Sequence, residues 1–237
     1  MSSRDLILSR IRTALNAHPG PSELPPTPQV WPAQQKTVDE MAKIFQESIT
    51  LVAGEVVFCP SWEEAAHQVE ARLKTSNAKK IGVAKRPVVE QLLQKSPALT
   101  VLGRDCELVT APAKPDDVSG SEMAELDASL VGAEFLLADT GSCVVPSSAA
   151  FDRMLCYLSP VCFVIATKSM LREHLPAVWP EISARLTAPV DPALPVQKHG
   201  EFLIVTGPSR TADIEKILIL GVHGPKQLIV FLIDDQS

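Results

Sequence analysis

Between the apolar runs Glu-Phe-Leu-Ile-Val-Thr, residues 201–206, and Gln-Leu-Ile-Val-Phe-Leu-Ile-Asp, residues 227–234, lie Gly207-Pro208-Ser209-Arg210-Thr211-Ala212-Asp213 and, further on, Gly221-Val222-His223-Gly224-Pro225. The pattern predicts a strand, a tight turn, a helix from about Thr211, a second turn and a last strand, which together make one βαβ crossover. Amides at the start of such a helix have no intrahelical acceptor, so Ser209, Arg210 and Thr211 beside them predict a site for a phosphate or carboxylate. Gly207 permits the turn, and the Arg210 guanidinium supplies the charge. Asp213 in the same turn either shares that site or simply neutralises Arg210 at the surface. His223 either moves a proton or holds its own turn through a backbone carbonyl.

A second group follows another apolar run: Asp139-Thr140-Gly141-Ser142 comes directly after residues 134–138. A carboxylate at a strand end with two neighbouring hydroxyls suits ligand contact, and it equally suits a turn that bonds itself. Downstream, Asp152-Arg153 is expected to bring a further charge to the same edge or to form an ion pair at a helix start.

These groups need a scaffold of alternating strands and helices. Thr37-x-x-Glu40 and Ser61-x-x-Glu64 are capping boxes opening two apolar-striped helices, with the short run Glu55–Cys59 between them. Runs at 81–84, 107–110, 134–138, 142–145 and 161–166 read as strands. Helices are expected around 89–93, from about Glu122 to Val131, near Phe151–Tyr157 and from about Ser169. Strand runs that are apolar throughout suit a parallel sheet covered on both faces, so the expected fold class is α/β with a doubly wound, mostly parallel sheet. Ala188–Gly200, with three prolines, is expected to be a loop before the final unit.

Ahead of this body, residues 4–17 carry Ile7, Ile11, Ala14 and Leu15 at helical spacing, and six prolines fall between Pro19 and Pro32. Residues 1–35 therefore read as a helical arm on a semi-rigid connector, with the main domain at 36–237. The arm's apolar face has to be covered by its own body or by a second copy, so a homo-oligomer through the arm is one expected partner arrangement.

A formal net charge of -6 with no basic block argues against nucleic acid and acidic membrane surfaces as partners. No apolar stretch approaches the roughly 20 residues of a membrane span. Cys59, Cys106, Cys143, Cys156 and Cys162 are odd in number and without a C-x-x-C pair, which points to reduced thiols and a cytoplasmic setting. The histidines at 18, 67, 174, 199 and 223 show no metal-ligand spacing, so no metal is expected on this chain. Gly-rich dinucleotide and Walker signatures are absent, and the stretch at 207–211 lacks the final glycine of a nucleophile elbow.

Taken together, GPSRTADIE, GVHGP, ADTGS and the intervening Arg153 resemble the LUD domain of the lactate utilization protein C family, over about Thr37–Asp234. The resemblance implies a NagB/RpiA/CoA-transferase-like fold and a part in oxidising L-lactate to pyruvate beside two partner proteins that carry the iron-sulfur centres. It implies a non-redox component with no cofactor of its own, binding an anionic ligand around Asp139, Thr140, Gly141, Ser142, Arg153, Gly207, Ser209, Arg210, Thr211, Asp213 and His223. Two other roles stand beside it: a stand-alone enzyme with CoA-transferase-like or sugar-phosphate-isomerase-like chemistry in which Asp139 is nucleophile or base, and a docking subunit that meets the iron-sulfur partners through the N-terminal arm and the acidic surface. Where the family commonly has Glu-Thr-Gly-Thr, this chain has Asp139-Thr140-Gly141-Ser142, and the shorter side chain withdraws its carboxylate by about an ångström, which favours binding or structure over catalysis.

Overall fold

The structure of the protein, a computed structural model, describes residues 3–17, 34–95, 106–111, 120–147, 150–187, 201–212, 218–221 and 224–235. It divides into two units, Met1–Pro32 and Ala33–Ser237. In the first, helix α1 (Ser3–Ala17) has no buried side chain, and its stripe of Ile7, Ile11 and Leu15 is exposed. The proline-rich connector and the expected loop at 188–200 lie outside the described residues, as do Asp213 and His223.

The second unit begins with α2 (Val38–Leu51), β1 (Glu55–Cys59), α3 (Trp62–Thr75), β2 (Lys80–Val83), α4 (Pro87–Lys95) and β3 (Glu107–Thr110). It continues with α5 (Gly120–Ala124), β4 (Ala128–Gly132), β5 (Phe135–Leu137), β6 (Ser142–Ser147), α6 (Ala150–Tyr157) and β7 (Val161–Thr167). A 3-10 turn (Lys168–Met170), β8 (Leu171–Arg172), α7 (Leu175–Thr187), β9 (Glu201–Val205), β10 (Arg210–Ala212), β11 (Leu218–Leu220) and β12 (Gln227–Ile233) follow.

Six strands form a parallel sheet in the order β1-β12-β7-β4-β2-β3. Successive residues of each strand face opposite sides, so Phe163 and Ile165 pack under α3 and α4 while Val164 and Ala166 pack under α2 and α6. Helices on both faces make the sheet doubly wound. Phe163 and Phe231 meet edge to face at 5.4 Å between ring centres, on adjacent strands of the α3/α4 side. Burying each of these rings stabilises the fold by about 1.5–3 kcal/mol.

The helix starts are built as the sequence predicts. Thr37 Oγ1 accepts from the Glu40 amide at 3.3 Å and the Glu40 carboxylate accepts from the Thr37 amide at 2.7 Å, which completes the capping box of α2. Ser61 Oγ likewise accepts from the Glu64 amide and caps α3. From those caps, Met41, Ala42, Phe45 and Ile49 fall on one buried stripe.

Four expectations are corrected. The helix expected over Glu122–Val131 is a five-residue helix followed by β4, every residue of which is buried; a short buried run such as Ala128–Gly132, Ala-Ser-Leu-Val-Gly, has no period to tell strand from helix. The runs after Glu134 leave the parallel rhythm and form a second, four-stranded sheet, β8-β5-β6-β9, in which β5 and β6 are antiparallel. The helix expected from Ser169 begins only at Leu175, after the 3-10 turn and β8. Most consequential, residues 201–225 are not a βαβ crossover. Strand β9 joins β6 in the second sheet, and Arg210–Ala212 and Leu218–Leu220 pair as an antiparallel hairpin where a helix was expected.

Candidate functional site

The two glycine turns singled out in the sequence meet. Strands β6 and β9 run antiparallel with Cys143 opposite Val205, so the next pair along is Ser142 and Thr206, whose hydroxyls lie 2.7 Å apart. Ser142 Oγ also lies 2.8 Å from Thr140 Oγ1, which donates in turn to Asp139 Oδ1 at 3.3 Å. Asp139 and Thr140 are exposed, while Ser142 is buried. The Ser48 hydroxyl at the end of α2 donates to the Asp139 carbonyl at 3.2 Å.

Both turn glycines are there because α2 comes too close for a side chain. Gly141 has φ +64°, and a Cβ on it would stand 2.3 Å from the Ile49 nitrogen. Gly207 has φ +72°, and a Cβ on it would stand 2.7 Å from the Val52 carbonyl oxygen. The junction therefore sits against the carbonyl end of α2, the end of a helix that disfavours negative charge.

The anion site expected at 207–211 loses its physical basis. No helix starts at Thr211, so the unpaired amides of a helix N-terminus are not present there. The Ser209 amide donates to the Pro225 carbonyl at 2.8 Å, the Ser209 carbonyl accepts from the Gly221 amide at 3.0 Å, and Gly207 and Pro208 are buried. Arg210 is exposed and opposite Leu220 in the hairpin.

Arg153 is not brought to Asp139 either. It pairs with Glu201, and Glu201 is opposite Ser147, at the end of the β6/β9 pairing away from Ser142. Five residues of extended strand separate the two positions by about 17 Å. The neighbouring Asp152 is buried and bonded at 3.3 Å to Arg86, a residue the sequence reading did not single out. Arg86 also donates to the Pro146 carbonyl at 2.7 Å, and so ties the end of β2 to the start of α6.

A further concavity lies elsewhere. A cleft of about 580 Å³ is lined by Pro60, Ser61, Trp62, Glu63, Val88, Gln91, Thr167, Ser169, Met170, Asp234 and Asp235. These residues lie at or just past the ends of β1, β7 and β12, three adjacent parallel strands, and in the first turns of α3 and α4. The carboxyl edge of an open α/β sheet is where such folds bind ligands. The floor of the cleft is tied together by charge. Asp235 accepts from the Ser169 amide at 3.1 Å and from its hydroxyl at 2.6 Å. Lys168 Nζ donates to Asp234 at 2.8 Å and to Asp39 on α2 at 3.0 Å, bonds that hold its ammonium above the usual lysine range. Glu63 is held below the usual carboxylate range by its own backbone amide and then by Lys95 at 3.0 Å. The result is a set of ordered acceptors and hydroxyls beside the Trp62 ring, an arrangement that can orient a small polar ligand. The sequence signal that could have found it is the short polar stretch directly after each parallel strand: Pro60-Ser61, Lys168-Ser169 and Asp234-Asp235.

The cysteines fill space. Cys59, Cys143, Cys156 and Cys162 are all buried, and burial pushes the Cys59 thiol up to about 11. A thiol held protonated in this way is a poor nucleophile and metal ligand. Among the described residues no helix is long and apolar enough to cross a membrane.

Comparison with known proteins gives one family. The model of the LUD domain matches residues 42–233. The chain is 31% identical over 141 residues to the uncharacterized protein YkgG of Escherichia coli K12, covering 56% of this chain and 55% of that protein. It is 33% identical over 110 residues to lactate utilization protein C of Bacillus pumilus, covering 46% and 42%. With lactate utilization protein C of Deinococcus radiodurans it shares 28% identity over 172 residues, covering 70% and 71%. The chain thus spans about half the length of the first two of these relatives. A crystal structure of a DUF162 family protein from Deinococcus radiodurans superposes with a TM-score of 0.56 at 16% identity, covering 84% of this chain and 99% of that one, which shows a shared fold.

Proposed function

Because the chain belongs to the LUD domain family, we propose that it is a non-redox component of an L-lactate utilization system that binds a small ligand in the carboxyl-edge cleft. The observation that carries this reading is the family match across nearly the whole second unit, joined to relatives named lactate utilization protein C. The position of the cleft supports the ligand part: its residues come from the ends of three parallel strands and from two helix starts, so a bound molecule is held by the rigid sheet. Partner proteins with iron-sulfur centres carry the electrons in this reading. The Asp139–Ser142 and Thr206–Arg210 turns act as the brace that fixes α2 to the second sheet, in keeping with the close approach of Gly141 and Gly207 to that helix.

A strain lacking its own copy of this chain tests the role. Growth on lactate as sole carbon source is expected to fail without the chain and to return with it, while growth on glucose is unaffected. Parental growth on lactate without the chain would overturn the reading.

A further inference from the structure

Glu173 follows β8 and is bonded on two sides. Its carboxylate accepts from the Gln34 amide at 2.7 Å through Oε2 and from the Lys36 amide at 2.8 Å through Oε1. Between those two amides Gln35 adopts φ +53°, the left-handed conformation that turns neighbouring N–H groups towards one acceptor. The chain has thereby formed a small anion-binding nest and filled it with its own carboxylate. On the other side, the Glu173 carbonyl accepts from the Asp139 amide at 3.1 Å, extending the β5–β8 ladder by one bond beyond the Ala138–Arg172 bond of 2.9 Å.

The contacts close into a ring. Residues 34–36 lead directly into the Thr37 cap of α2, and α2 at its far end donates from Ser48 to the Asp139 carbonyl. Asp139 returns to Glu173 through its amide. A single residue thus anchors both the segment that enters α2 and the turn on which α2 ends. We propose that Glu173 is a positioning latch: its carboxylate fixes the segment 34–36 that leads into α2, and its carbonyl transmits that fixation to the Asp139–Ser142 turn, so that releasing one loosens the other. This is independent of what occupies the cleft.

The groups facing the latch are Lys36, whose ammonium is bonded to the Gln34 side chain, and His174 next in sequence. The two backbone amides hold the Glu173 carboxyl below the usual carboxylate range. A carboxyl lowered on folding contributes stability that is present above its unfolded value and lost as pH falls through its folded value. The latch is therefore closed at neutral pH and opens only in acid.

Amide hydrogen exchange on the full chain, read residue by residue, tests the proposal. In Glu173→Gln an NH2 replaces one of the two accepting oxygens, so one of the two backbone N–H groups loses its acceptor and the other keeps only a neutral one. Exchange at Gln34 and Lys36 is expected to accelerate about tenfold to a hundredfold, the range for losing hydrogen bonds to a charged acceptor, and Asp139 is expected to accelerate with them. Val164 and Val230 in the central sheet stay at wild-type protection, which marks an intact fold. Unchanged protection at Gln34 and Lys36 overturns the latch, and acceleration there with Asp139 unchanged overturns the coupling. In the unaltered protein, the amide proton shifts of Gln34 and Lys36 should follow pH with one common midpoint below the ordinary carboxylate range. Separate midpoints, or none, overturn the proposal whether or not the variant folds.

Discussion

The glycine junction and the carboxyl-edge cleft contrast in material and in placement. The junction is made of backbone: Gly141 and Gly207 let two turns press against the last turn of α2, and its hydroxyls bond mostly to each other. The cleft is made of side chains: Trp62, Gln91, Ser169 and Asp235 stand on helix starts and strand ends with an open volume between them. Short polar residues at special backbone angles mark the first, and the second is marked only by which strands turn out to be neighbours. Motif density in a sequence therefore reports close packing as readily as chemistry.

The comparison breaks most sharply at Gly141. Gly141→Ala places a methyl against the Ile49 backbone at a positive φ, and is expected to cost about 3 kcal/mol or more, read as a lower denaturant midpoint at unchanged slope. A cost below about 1 kcal/mol, the low end of what a positive φ alone costs a residue with a side chain, would mean that the junction is not the brace described. Ser142→Ala removes the buried hydroxyl shared by Thr140 and Thr206 and should cost about 1 kcal/mol by the same measurement. On the cleft side, Lys168→Met breaks its bonds to Asp234 and Asp39; both partners are partly exposed, so the loss should stay under about 1 kcal/mol. A lysine whose value is raised on folding contributes stability below its ordinary value, and that contribution disappears as pH rises through the raised value. Wild type and Lys168→Met should therefore converge in strongly alkaline solution, and a gap that persists there would assign the effect to packing.

Much of the fold is legible in the residues. Thr37, Ser61 and the apolar stripes of α2 and α3 announce two helices, and runs such as Val161–Thr167 announce buried parallel strands. The second sheet is not announced, because Phe135–Leu137 and Ser142–Ser147 are as apolar as the parallel strands and both faces of their sheet are covered. Register and partner choice there depend on contacts far apart in sequence, such as Cys143 with Val205. The paired strands at 210–212 and 218–220 misled for the opposite reason: Ile214, Ile217 and Leu218 read as a helical stripe, but Leu218–Leu220 is also a short apolar run that suits a strand, and tertiary context decided. Of the site, the meeting of the Asp139 and Gly207 turns was foreseeable as two strand-end turns. The cleft was not, since it needs the order β1-β12-β7, which brings residues 60, 168 and 234 together.

Growth on lactate of the deletion strain carrying either Gln91→Trp or Arg210→Ala, at matched protein levels, tests most directly where this chain works. Gln91 is exposed and lines the cleft, so a tryptophan there fills the space with little effect on the fold, whereas Arg210, also exposed, lies on β10. The cleft account predicts that Gln91→Trp abolishes growth and that Arg210→Ala supports it at the wild-type rate. Wild-type growth with the cleft filled, together with failure of Arg210→Ala, would contradict it and return function to the glycine turns.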